Sequence, residues 1–85
     1  MPATFEMINE ALGPDSPFTG AEKSVIKWQY GQYGDFYMSL WDAIRKADET
    51  NLRRLELGFP VEVAGFRAWA YGDLRERLRA WGLRV

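Results

Sequence analysis

A chain of 85 residues is too short to divide into two stable cores, so the whole of residues 1–85 is expected to form one domain. The absence of cysteine excludes a disulfide framework and thiolate metal sites, and the absence of histidine removes the side chain best suited to proton transfer near neutral pH. A formal net charge of −1 argues against both a generic polyanion binder and an acidic mimic of nucleic acid.

Thirteen aromatic residues supply the apolar area that so short a chain needs, each removing about 150–250 Å² from water when buried. No apolar run approaches the roughly 18 residues of a membrane span, and the start Met1-Pro2-Ala3-Thr4 lacks the basic and apolar regions of a signal peptide. We therefore expect a soluble protein of the cytoplasm, without a membrane partner. Charge is unevenly placed: residues 1–22 carry Glu6, Glu10, Asp15 and Glu22 and no base, whereas residues 66–85 carry five arginines against Asp73 and Glu76. Opposite ends of that kind are able to pair between copies, so a homodimer is one expected assembly.

In chain order, the first expected helix covers Thr4 to Leu12, with Phe5, Ile8 and Leu12 on one face and Gly13-Pro14 as its stop. Thr19-Gly20-Ala21-Glu22 is a capping box, in which the threonine hydroxyl accepts from the Glu22 amide and the glutamate reaches back to the Thr19 amide. The helix it opens, over residues 20 to 33, carries Ala21, Val25, Ile26, Trp28, Tyr30 and Tyr33 around most of its circumference and belongs at the centre of the fold.

Asp35 is placed to cap the next helix, whose apolar arc holds Phe36, Tyr37, Leu40, Ala43, Ile44 and Ala47. Asp35, Asp42, Arg45, Lys46 and Glu49 occupy the opposite arc, with Asp42 and Lys46 in the favourable i, i+4 order. Asp48 caps a further helix through Glu49 to Leu57, with Leu52 and Leu55 inward, Gly58 as left-handed terminator and Pro60 opening the helix after it.

Val61 to Tyr71 has a face of small residues, Val61, Ala64, Gly65 and Ala68, that permits close approach of a neighbouring helix, and a second apolar strip of Val63, Phe66 and Ala70. Asp73 and Glu76 form an acidic variant of the capping box, and the helix they open stops at Gly82. Its stripe of Leu74, Leu78 and Trp81 is narrow and Arg75, Arg77 and Arg79 fill the rest, so it is expected on the surface. The fold class is thus all-α, a compact bundle of about five short helices, with a core from Phe36, Leu40, Ile44, Leu52, Leu55 and the helix over 20–33.

Chemistry finds little purchase in this pattern. Asp35, Asp42 and Glu49 recur every seven residues on one helix face, which reads as a solvated face rather than a carboxylate site. The glycines at 31 and 34 lack a preceding strand and a following Lys-Ser/Thr, so no phosphate loop is formed, and no metal or other cofactor and no enzymatic activity is expected. Asn51 to Arg54, a glycine turn and a second helix resemble a helix-turn-helix, but that second helix offers Glu62, Arg67 and small residues in place of a row able to reach base edges.

Trp41, Trp69 and Trp81 lie at the edges of apolar arcs or on a narrow stripe, and partly covered tryptophans are common interface anchors. With Arg75 and Arg79 they are the candidate partner-binding residues.

Gly34, Phe36, Tyr37, Leu40, Trp41, Ala43, Ile44, Ala47, Asp48, Asn51, Arg54, Leu55, Gly58, Phe59, Pro60, Glu62 and Val63 form a pattern that covers about a third of the chain. In it the chain resembles small uncharacterised proteins encoded by phages and prophages. The resemblance implies such an origin and action inside an infected bacterial cell, and carries over no site residues. The expected function is that of an accessory protein acting by protein–protein interaction with a host or phage protein. The alternative is a small nucleic-acid-binding regulator using Arg75, Arg77, Arg79 and Arg84.

Overall fold

The computed structural model describes residues 5–85, which fold into six helices in series: α1 (Phe5–Leu12), α2 (Gly20–Gln29), α3 (Asp35–Lys46), α4 (Glu49–Gly58), α5 (Pro60–Tyr71) and α6 (Leu74–Trp81). No strand occurs among the described residues. The all-α bundle is thus as expected, with six helices for about five. Thr4, placed at the start of the first expected helix, lies outside the described residues.

Local chemistry sets most of the boundaries. The Thr19 hydroxyl accepts from the Glu22 amide at 3.2 Å while the Glu22 carboxylate accepts from the Thr19 amide at 2.9 Å, completing the capping box. Asp48 caps α4 by accepting from the Asn51 amide at 2.8 Å, and Pro60 stands in the first turn of α5, where its missing N–H leaves no gap in the helix. Gly82 ends α6 in the left-handed region at φ 112°.

Four expectations about the helix ends are corrected. Helix α2 stops at Gln29 and the chain turns through Gly31 at φ 63°, so Tyr30 and Tyr33 lie beyond the helix. Gly34, not Asp35, is the N-cap of α3; Asp35 is already helical, and no side-chain cap forms. Gly58 is the last helical residue of α4 and has no positive φ, the C-cap role falling to Phe59. Asp73 makes no cap hydrogen bond, because its carboxylate accepts from Arg77 Nε at 3.1 Å instead. On the surface of α3, Asp42 pairs with Arg45 at 3.6 Å rather than with Lys46.

The core is centred on α2 and α5, the most intimately packed pair. Gly65 makes their approach possible: a Cβ there would overlap the Ala21 carbonyl oxygen and crowd Ser24 Oγ and Val25 Cγ2. Of the four-residue small face expected on α5, Gly65 is buried and Ala68 half-buried, while Val61 and Ala64 face outward. Around this pair gather Ile8 and Ala11 of α1, Phe18 of the loop before α2, Leu40, Trp41 and Ile44 of α3, Leu52 of α4, Leu74 and Leu78 of α6, and Leu83. The leucines of α6 are completely buried, so its narrow stripe is a core contact although Arg77 and Arg79 face outward.

The expected core needs two corrections. Phe36 is 65% exposed, and Leu55 is half-buried rather than fully inward. In α1 the buried pair is Ile8 and Ala11, leaving Phe5 71% exposed.

Candidate interaction surface

Trp41 determines how α3 sits. Its indole is fully buried, correcting the expectation of a partly covered tryptophan available to a partner. The ring stacks on Trp28, with centroids 4.6 Å apart and planes 6° from parallel, and Trp28 meets Trp69 edge to face at 5.0 Å. Phe36 lies five residues before Trp41, about 140° away around the helix, so a rotation that buries one turns the other outward. Tryptophan is the larger ring and takes the core, flanked by Leu40 and Ile44.

Phe36 is therefore displaced to the surface, where it is not isolated. It meets Tyr37 edge to face at 5.3 Å and Phe59 at 6.1 Å, and Tyr37 stacks on Tyr33 at 4.9 Å. Lys27 Nζ stands 5.8 Å from the Tyr33 ring. Burial, and after it the nearby Glu62 carboxylate, holds the Tyr33 phenol above its ordinary value. Four aromatic rings thus form a ring-to-ring patch at the start of α3 and the α4–α5 junction. Tyr37 is 38% exposed, and Val61, two residues beyond Phe59, is 47% exposed.

The remaining expected partner-binding residues are engaged within the chain. Trp69 is half-buried beneath Arg75, whose guanidinium carbon lies 4.0 Å from the ring centroid. The indole N–H groups of Trp41 and Trp69 and Nε of Arg75 are buried without a hydrogen-bond partner among the described residues. Trp81 meets Phe18 edge to face at 5.4 Å and its N–H donates to the Met7 carbonyl at 3.4 Å.

Arg79 donates through Nε and Nη2 to the main-chain oxygen of Val85 at 3.1 and 3.0 Å. Arg77, weighed with the nucleic-acid alternative, pairs with both Glu22 and Asp73. Trp41, Trp69 and Arg75 thus join α2, α3, α5 and α6, while Trp81 packs against α1 and Phe18 and Arg79 holds Val85; Trp69 and Trp81 are partly covered, as expected.

Along α3 and α4 the aromatic patch leads into a groove of 420 Å³ lined by Ala43, Lys46, Ala47, Asn51, Arg54 and Leu55. Ala43 follows Phe36 at i+7 on one face of α3, Ala47 is the extended C-cap that ends the helix, and Phe59 lies four residues after Leu55. Phe36 and Phe59 meet at the N-terminal end of α3, and Lys46 and Arg54 are the two basic residues of the groove lining. Phe36, Tyr37, Ala43 and Ala47 belong to one apolar arc in the sequence, and the first three of them are exposed in the fold.

No family model, no curated protein and no solved structure matches the chain.

Proposed function

We propose that this chain is a protein-binding module, an accessory protein of phage or prophage origin that acts on a host or phage protein inside the bacterial cell. The observation that carries the binding reading is the aromatic patch: Phe36 and Tyr37 stay exposed at the head of a helix whose Leu40, Trp41 and Ile44 are buried, and they are held in ring contacts with Tyr33 and Phe59. Rigid exposed aromatics lose little side-chain freedom on binding and remove a large area from water, which is the physical profile of an interface anchor. The origin rests on the resemblance of residues 34–63 alone.

On α6, Arg75 lies over Trp69, Arg77 pairs with Glu22 and Asp73, and Arg79 is held by the Val85 oxygen, so each of the three arginines of that helix is engaged by a contact within the chain. Phosphate binding needs such groups free to displace counterions. The test is affinity capture from nuclease-treated bacterial lysate with the tagged chain and its Phe36→Ser and Trp81→Ala variants. The expected result is a stoichiometric protein partner lost with Phe36→Ser and retained with Trp81→Ala wherever the latter stays folded. Capture that survives Phe36→Ser refutes the patch as the interface, and recovery of nuclease-sensitive nucleic acid alone refutes the protein-binding reading.

A further inference from the structure

Resting on the protein-binding reading, we infer that the occupant of the α3–α4 groove is an acidic amphipathic segment of the partner, laid along the groove with its apolar side chains on Ala43, Ala47 and Leu55 and its carboxylates against Lys46 and Arg54. The charge of the lining carries this step. It contains two cations and no carboxylate. Arg45, Arg53, Arg67 and Arg77 each have an acidic partner within the chain. Lys46 and Arg54 have none among the described residues, and Arg54 makes only a long 3.5 Å contact with Asn51 Oδ1. Of the cations without an acidic partner among the described residues, Lys46 and Arg54 are the two that line this groove, where they flank its apolar strip with no carboxylate in the lining.

The shape of the strip fits a helix or short extended segment. Alanines at 43 and 47 present methyl groups where larger side chains would fill the groove, so an incoming apolar residue reaches the helix surface. Helix α3 has 12 residues, about 18 Å of axis, which matches about three turns of an apposed helix. At its far end Phe36 and Phe59 continue the apolar surface, so a segment bound in the groove also meets the aromatic patch. A nucleic-acid strand would set its phosphates against Ala43, Ala47 and Leu55 and find cations only at the rim. An acidic segment with apolar anchors uses both features.

The test uses the full chain and two synthetic amphipathic peptides of about fourteen residues. Both carry leucine at helical spacing, one with glutamate and the other with lysine at every remaining charged position. Binding is read by peptide fluorescence anisotropy and mapped by backbone amide chemical shifts of the protein. The acidic peptide is expected to bind at least about tenfold more tightly than the basic one, to weaken with added salt, and to shift the amides of Phe36, Ala43, Ala47 and Leu55.

In the Lys46→Glu/Arg54→Glu double variant, both changes being at exposed positions, the preference between the peptides is expected to reverse. Equal binding of the two peptides, shifts mapping to another face, or occupation of the groove by a second copy of the chain at rising concentration would each overturn the inference. Its failure is separable from that of the broader reading. A lysate partner lost with Phe36→Ser but indifferent to the charge reversal keeps the protein-binding reading and removes the acidic segment. A partner indifferent to Phe36→Ser removes the broader reading itself.

Discussion

Trp41 and Phe36 compete for the same turn of the core, and the outcome sets both the stability and the surface of α3. The Trp41 indole loses its solvent entirely and leaves its N–H without a partner among the described residues, a desolvation penalty of about 1–3 kcal/mol that its stacking and buried area must exceed. Trp41→Ala should therefore destabilise the fold by about 3–5 kcal/mol. Trp41→Phe should cost much less, because it deletes the unpaired donor along with part of the ring. Phe36→Ser should stay within about 0.5 kcal/mol of the parent. Urea unfolding followed by far-UV circular dichroism measures all three. A loss for Phe36→Ser as large as that for Trp41→Ala would mean that Phe36 belongs to the core after all.

This pair also shows what residue patterns reveal and what they conceal. The apolar arc of α3 was legible down to Leu40 and Ile44, since periodicity fixes which residues share a face. The rotation of that arc depends on the partner across the interface, and Trp28, which stacks on Trp41, belongs to another helix. Periodicity within one helix contains no information about that contact, so Trp41 was expected at the rim and Phe36 inside.

Between elements, the closest fit is Gly65 of α5 against Ala21, Ser24 and Val25 of α2. Ser24 is the one buried polar residue among those described, and its hydroxyl donates to the Ala21 carbonyl at 2.5 Å, satisfying the group without opening the interface. Gly65→Ala normally helps a helix by its intrinsic propensity, by up to about 1 kcal/mol. Here the added methyl meets main chain, which cannot turn aside as a side chain can. The substitution should therefore destabilise by about 1–3 kcal/mol, against the propensity trend. Ala64→Gly, one residue earlier and on the exposed side, is the matched control for backbone effects. If Gly65→Ala raises the denaturation midpoint, α2 and α5 do not approach as closely as described.

The small face of α5 signalled that a helix would come near without identifying α2 as that helix. Caps were similarly uneven. Thr19 and Asp48 are free to turn back on their own helices, whereas the carboxylate of Asp73 is drawn to Arg77 four residues on, an interaction that capping rules do not weigh.

Across the whole molecule, an ion pair joins the acidic beginning of the chain to its basic end. Arg77 of α6 reaches Glu22 in the first turn of α2, and Tyr30 both accepts from the Arg84 amide at 2.7 Å and donates to the Arg84 carbonyl at 3.0 Å, fastening the C-terminal segment to the end of the same helix. The charge asymmetry visible in the sequence is thus partly met within one chain.

Partial burial alone would raise the Glu22 carboxyl, but hydrogen bonds from Arg77 and from the Thr19 amide, with the attraction of the guanidinium, outweigh it and hold the group below its ordinary value of 4.5. The unfolded chain therefore takes up the proton first as pH falls. Stability from this contact is complete well above the ordinary value and is lost as pH drops through it towards the lower folded value. Thermal unfolding from neutral pH down to about pH 3 should show a declining midpoint that Glu22→Gln makes shallower in that window.

Because Arg77 is 43% exposed at its side chain, the Glu22–Arg77 coupling from a double-mutant cycle near neutrality should be about 1 kcal/mol or less, and smaller in high salt. An acid limb that is unchanged by Glu22→Gln would shift the responsibility to Glu49, which Arg67 holds below its ordinary value through hydrogen bonds of 2.8 and 3.2 Å between α4 and α5.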